Sequence, residues 1–128
     1  AKAEEVITEL YGFKEEGMEV LFKPTKASEV PIRHDYDQAV SYFVGAAAAG
    51  DDIGIKEDKG FAINPWTAVR FENSKTILNA DSATAMGEYY FTTLEGTVAK
   101  VEYTFQYKRG ADGNLKIVVH HSSLPYSP

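Results

Sequence analysis

The sequence predicts an α+β fold in which N-terminal helices pack on one face of a curved antiparallel sheet. Within residues 1–50, two segments carry apolar residues every three or four positions, the spacing of an amphipathic helix. Towards the C-terminus, apolar and polar residues alternate as in a strand. The run RGADGN at 109–114 is rich in turn formers and predicts a hairpin. We expect residues 1–128 to form one domain, either alone or as one unit of a longer protein.

Glycine, proline and aspartate mark the boundaries of the N-terminal elements. The predicted elements are a helix over 1–16, a strand over 18–23, a loop over 24–34 and a helix over 35–50. Gly17 ends the first helix and Pro24 ends the strand, because proline lacks the N–H group that a sheet requires. Asp35 is a suitable N-cap for the second helix, which we expect to continue to Gly50.

The remainder of the chain predicts a sheet. A polar loop over 51–60 precedes strands near 61–73, 75–80, 84–93, 97–109 and 115–123. In the fourth of these strands, Val101, Tyr103, Phe105 and Tyr107 alternate with polar residues. This face is too apolar to remain in water. If helices cover only one side of the sheet, a partner subunit covers the other, so we expect a homodimer.

Composition excludes several classes of function. The 128 residues contain 13 Lys and Arg against 19 Asp and Glu, a net charge of −6 without a basic cluster, which disfavours nucleic acid and anionic membranes as partners. No apolar run approaches the ~18–20 residues of a membrane helix. Because the chain has no cysteine, disulfides, thiolate catalysis and cysteine-ligated zinc are excluded.

The last predicted strand ends in four polar residues, His120, His121, Ser122 and Ser123. They are candidate site residues, although solvation of a strand tip would also explain them. Successive strand residues point to opposite faces. Ile117 and Val119 share a face with His121 and Ser123, so we expect His121 and Ser123 to face the core. A bulge near the strand end would instead turn His120 and Ser122 inward.

The ending HHSSLP at 120–125 resembles the terminal signature of the iota-class carbonic anhydrases. These enzymes are relatives of the calcium/calmodulin-dependent protein kinase II association domain within the nuclear transport factor 2-like superfamily. Further similar segments are LFKPT at 21–25, SYF at 41–43, GFAI at 60–63 and VRFEN at 69–73. The resemblance implies a cone-shaped α+β fold, commonly dimeric, that interconverts carbon dioxide and bicarbonate in a hydrophilic pocket between sheet and helices.

The resemblance also implies which residues form the pocket. They are Thr25, Tyr42 and the run His120, His121, Ser122 and Ser123. Several members work without a metal and others have been linked to manganese, so we expect no cofactor and leave manganese or zinc dependence open. A three-His zinc site is disfavoured, because adjacent strand residues point apart and His34 is the one remaining histidine. The hypothesis is a neutral histidine acting as general base on an oriented water, with hydroxyls that hold bicarbonate.

Two other functions fit the same fold. One is a non-catalytic oligomerisation or small-ligand-binding module, which has no need of Thr25, Tyr42 and the histidine–serine run together. The other is an isomerase or dehydratase, which requires an inward aspartate or a His–Asp pair. The family occurs in bacteria and algal plastids, so we expect a plastid protein or, failing that, a cytoplasmic one.

Overall fold

The computed structural model describes residues 2–63 and 65–128, which build one five-stranded sheet with helices on one face. The α-helices are α1 (Lys2–Leu10), α2 (Tyr36–Val44) and α3 (Ala46–Ala49), and the strands are β1 (Leu21–Lys23), β2 (Ala68–Leu78), β3 (Ser82–Thr92), β4 (Val98–Arg109) and β5 (Leu115–Ser123). Short 3-10 turns occupy Gly12–Lys14 and Phe61–Ile63. Among the described residues, no helix has the length and apolar content needed to cross a membrane.

The strand order is β1-β5-β4-β3-β2, and the sheet is mixed. The last four strands form an antiparallel meander, as predicted. However, β1 pairs with β5 in parallel, with Phe22 opposite His120. The prediction of a wholly antiparallel sheet is wrong at this edge, because β1 does not form a hairpin with the strand that follows it but pairs with the distant last strand. The α+β class itself is confirmed.

Several predicted boundaries shift for local reasons. The first helix ends at Leu10, and the second breaks at Gly45, where φ is +93°, a conformation that favours glycine. The strands predicted over 61–73 and 75–80 are one strand, β2, with an irregularity between Asn73 and Lys75. Strands β4 and β5 match their predicted ranges to within one residue. Ala1 and Asn64, which two of these predictions include, lie outside the described residues.

The core lies between the helices and the inner face of the sheet. Phe22, at 1% exposure, is among its most buried residues, and Tyr103 and Phe105 of β4 belong to the same buried cluster. The apolar face of β4 is therefore covered by the chain's own helices and neighbouring strands. The helices thus cover this one side of the sheet, and the expected homodimer stays a prediction.

A buried ion pair fixes the loops on either side of α2. The Arg33 guanidinium is fully buried and donates to both carboxylate oxygens of Asp58, at 2.5 and 2.8 Å. The Ser41 hydroxyl donates to the same carboxylate at 2.6 Å. Glu57 accepts three backbone N–H groups from residues 28–30. The loops 24–34 and 51–60 are therefore held against α2 by groups whose hydrogen bonds are complete.

Replacing Asp58 with alanine would leave the Arg33 charge buried without its partner. We expect D58A to lower the free energy of unfolding by about 3–5 kcal/mol, the usual cost of breaking a buried pair. D52A, at an exposed aspartate in the same loop, is the matched control and should stay within about 0.5 kcal/mol of the unmodified protein. Urea unfolding measures both, and equal losses in the two variants would contradict this prediction.

Candidate active site

A bulge in β5 determines which polar residues enter the core. Opposite β4, Gln106 pairs with Val119 but Tyr107 pairs with Ile117, so Val118 is an extra residue. Beyond it, Phe105 pairs with His120 and Tyr103 pairs with Ser122. Residues directly opposite one another on neighbouring strands share a face, so His120 and Ser122 face the core with Phe105 and Tyr103. The expectation that His121 and Ser123 face inward is wrong, because it assumed an unbroken alternation.

His120 lies among aromatic rings and hydroxyl groups. Its ring stacks on Phe105 and Phe22 with centroid separations of 4.2 and 4.9 Å. The Tyr11 hydroxyl is 2.6 Å from Nδ1. On the other side of the ring, Nε2 is 3.0 Å from the Ser122 hydroxyl and 3.1 Å from the Tyr89 hydroxyl. Tyr89 and Ser122 are also hydrogen-bonded to each other. Both nitrogens of this buried ring therefore have partners.

Burial keeps the groups of this network neutral. Desolvation, with a smaller contribution from His121, lowers the pKa of His120 to about 3. Desolvation raises the pKa of Tyr89 to about 12, although the Ser122 hydrogen bond opposes it, and raises the pKa of Tyr11 still further. At neutral pH the site is consequently an uncharged set of hydrogen-bonding groups.

This network lies at a cavity of about 660 Å³ between the inner face of the sheet and the helices. Leu10, Phe43 and Phe91 contribute to a mostly apolar lining. Tyr11, Tyr89 and His120 supply hydroxyl and imidazole groups. The cavity suits a small molecule with little charge that approaches over apolar surface and is bound by hydroxyl groups.

Thr25 and Tyr42 lie at the neighbouring corner rather than in this network. Tyr42 is buried, and its hydroxyl accepts the backbone N–H of Lys26 at 3.3 Å. Its ring meets Phe22 edge to face, and Phe22 in turn stacks on His120. Thr25 is half-buried in the turn that follows β1. Over residues 2–63 and 65–128, no hydrogen bond joins Thr25 or Tyr42 to His120 or Ser122.

His121 and Ser123 lie on the opposite face of the sheet. There they line a separate depression with Glu72, Glu88 and Glu102. His34 is exposed in its loop, as the proline-bounded sequence led us to expect. In the part of the chain that the structure describes, no three His, Asp or Glu side chains converge in a way that could hold a metal ion.

Sequence reasoning missed the two tyrosines that bond His120. Tyr89 lies on the inner face of β3, where alternation marks it only as a core residue. Tyr11 follows α1, 109 positions from its partner, and its helical spacing likewise predicts packing. The available signal was the large number of tyrosines, eight, in a chain of this size. Buried tyrosine hydroxyls require partners, and the histidine and serine residues of β5 could have supplied them.

The matching family model and a curated relative indicate the same family. A family model described as metal-independent carbonic anhydrase matches residues 1–124. A curated metal-independent carbonic anhydrase from a Nostoc species is 40% identical over 127 residues, which cover 98% of this chain. The chain spans 58% of the length of that relative.

Solved structures give the same result at the level of the fold. An iota-carbonic anhydrase from a cyanobacterium, complexed with bicarbonate, superposes with a TM-score of 0.86 at 37% identity, covering 98% of this chain and 73% of that chain. A nuclear transport factor 2-like protein from Salmonella enterica gives 0.56 at 11% identity, covering 97% and 78% of the two chains. The latter similarity shows the fold alone, which confirms the predicted fold family.

The burial of His120 makes stability fall on acidification. In the unfolded chain its imidazole binds a proton near pH 6.5, whereas the folded protein resists protonation down to about pH 3. Because the unfolded state binds more protons in this interval, the free energy of unfolding should fall by up to about 1.4 kcal/mol per pH unit below 6.5. Urea unfolding between pH 6.5 and about 5 measures the slope. H120Q should remove it and H121Q should keep it, and equal slopes in both variants would refute the prediction.

Proposed function

The chain belongs to the family of metal-independent carbonic anhydrases, and from this premise we propose that it interconverts carbon dioxide and bicarbonate. The observation that carries the proposal is the neutral His120–Ser122–Tyr89 network beside an apolar cavity. The similar cyanobacterial structure is a bicarbonate complex, which supports the same substrate. The plastid location expected from the resemblance stays a prediction.

The cavity fits both carbon dioxide and bicarbonate. Carbon dioxide is small and carries no charge, so an apolar approach does not penalise its entry. Bicarbonate carries oxygens that accept hydrogen bonds, and the Tyr89 hydroxyl, backed by Ser122, is a donor at the cavity wall. A donor held in place before the reaction stabilises negative charge as it develops on an oxygen of carbon dioxide.

Proton transfer in this site runs most simply through hydroxyl groups. With a pKa of about 3, His120 is neutral at pH 7 but a weak base, which disfavours it as the group that keeps the proton of the attacking water. We propose that the water oxygen bonds to the carbon of carbon dioxide while the hydroxyl pair passes one water proton to a carbon dioxide oxygen. The product is carbonic acid, which ionises to bicarbonate in solvent. His120 orients the hydroxyls.

Thr25 and Tyr42 remain proposed site residues on the basis of the resemblance. Their corner adjoins the end of β5, because Lys23 donates hydrogen bonds to the carbonyl oxygens of both Pro24 and Ser122. Desolvation raises the pKa of Tyr42 to about 12, so its hydroxyl is also neutral at pH 7. In this proposal the two residues bind substrate or product oxygens at the edge of the site, and the His120 network acts at its centre.

The two faces of β5 provide a matched test. We expect S122A and H120Q to lower the rate of carbon dioxide hydration at least about 100-fold, because each removes a partner from the hydroxyl relay. S123A and H121Q change the same residue types one position away on the outer face and should stay within about threefold. Stopped-flow hydration assays on EDTA-dialysed protein, with elemental analysis, make the comparison.

The outcomes separate the competing functions. Activity that survives chelation and falls only in S122A and H120Q supports the proposal. Activity that returns only with manganese or zinc would keep the enzyme but overturn the metal-free mechanism. No activity with any metal would favour the binding or oligomerisation module, and equal losses on both faces of β5 would refute the assigned site.

We propose further that the protein is a homodimer whose partner covers β2. This strand is an unprotected sheet edge, exposed along all eleven residues. It presents Phe71 at 56% and Leu78 at 77% exposure. A long exposed edge with large apolar side chains is unfavourable in an isolated subunit. On the outer face beside it, Arg70 pairs with Glu72 and Lys100 pairs with Glu88 within the chain.

Light scattering coupled to size exclusion tests the dimer. We expect a species of about 28 kDa, twice the 14.1 kDa of one chain. L78E places a charge at the proposed contact and should shift the protein towards the monomer. L94E introduces the same change at a similarly exposed leucine outside β2 and should not. A species of only ~14 kDa for the unmodified chain would overturn the proposal.

A further inference from the structure

Tyr11 connects the N-terminal helix to the centre of the site. Its backbone N–H donates to the Ile7 carbonyl at 2.9 Å, and the residue bridges to Ile117 of β5. Its ring packs among aromatic residues, with Phe22 at 5.8 Å and Phe43 at 6.2 Å between centroids. The hydroxyl emerges from this packing 2.6 Å from His120 Nδ1. Tyr11 is therefore held rigidly against one nitrogen of the imidazole.

The ring nitrogen of His120 that carries the hydrogen determines whether the Ser122–Tyr89 pair keeps a free hydroxyl hydrogen. A neutral imidazole carries one N–H, so one nitrogen donates and the other accepts. With the hydrogen on Nδ1, the ring donates to the Tyr11 oxygen, and the Tyr11 O–H is left without an acceptor. On the other side of the ring, one hydroxyl of the Ser122–Tyr89 pair then donates to Nε2 and the other donates to its neighbour. With the hydrogen on Nε2, Tyr11 donates to Nδ1, and one hydroxyl hydrogen of the Ser122–Tyr89 pair stays free.

Two observations select the second arrangement. Within the described ranges, His120 Nδ1 is the one hydrogen-bond partner of the Tyr11 hydroxyl, so this buried donor would otherwise have no acceptor in the protein. The 2.6 Å separation is also typical of a hydroxyl donor and shorter than the ~2.9–3.0 Å usual for an N–H donor. We infer that Tyr11 is a positioning residue that donates to Nδ1 and holds His120 in its Nε2–H tautomer.

This tautomer determines the direction in which the hydrogen bonds of the site donate. Hydrogen bonds run from Tyr11 to His120, from Nε2 to Ser122, and from Ser122 to Tyr89, whose own hydrogen is then available at the cavity. A site that ends in a donor selects a ligand oxygen with lone pairs and disfavours a cation or a ligand that only donates. The consequence of this inference for catalysis rests on the proposed function. The tautomer itself can be measured without any substrate.

Long-range ¹H–¹⁵N correlation spectra of the histidine rings test the tautomer directly. The chain has only three histidines, and H120Q identifies the His120 signals. At pH 7 we expect the Nε2–H pattern for His120 in the unmodified protein. Y11F should reduce this preference about tenfold, the factor that one ordinary hydrogen bond contributes. Y36F, which removes a hydroxyl from a tyrosine that packs against the same cluster but does not line the cavity, should leave the pattern unchanged. An Nδ1–H pattern in the unmodified protein would overturn the inference.

Kinetics distinguish positioning from a merely structural role. Y11F should lower kcat for carbon dioxide hydration about tenfold with KM nearly constant, and Y36F should change neither. An unchanged tautomer and unchanged kcat in Y11F would refute the inference. If the unmodified protein shows the Nε2–H pattern but hydrates no carbon dioxide under any condition, the proposed function fails while the positioning role of Tyr11 stands.

Discussion

The extra residue in β5 is the constraint on which the site depends. Val118 has no partner opposite Gln106 and Tyr107, and it shifts the following strand residues by one place relative to β4. Both Ile117 and Val118 can then be buried, one on each side of the sheet, before His120 turns inward. The same displacement brings Ser122 beside Tyr103 and Tyr89. Without the bulge, His121 and Ser123 would face the core.

Burying an imidazole is costly, and the fold offsets the cost with hydrogen bonds rather than with charge. Both ring nitrogens of His120 have hydroxyl partners, and both faces of the ring meet aromatic surface. A carboxylate in the same place would favour protonation of the histidine, but the buried carboxylate among the described residues, Asp58, is committed to Arg33 and Ser41. The site is consequently neutral, whereas an isomerase or dehydratase site is expected to contain an inward aspartate.

Much of the molecule follows from its sequence pattern. The strict alternation in β4 and the turn-rich run after it determine the terminal hairpin almost to the residue, because period two and turn chemistry are local properties. Asp35 caps α2 by accepting the Gln38 N–H at 2.9 Å, as predicted. Motifs spread along the chain, HHSSLP above all, indicate the family that the comparisons confirm.

Tertiary structure decided what local pattern cannot express. The bulge arises because two strands must match one another's packing, so its position depends on β4 as much as on β5. The parallel pairing of β1 and the hydrogen bond between Tyr11 and His120 join residues about 100 positions apart, and neither leaves a periodic trace. The sequence alone therefore determined the class, the family and the candidate residue types. Only the folded chain determined which histidine and serine face the cavity, because side-chain facing is set by register between strands.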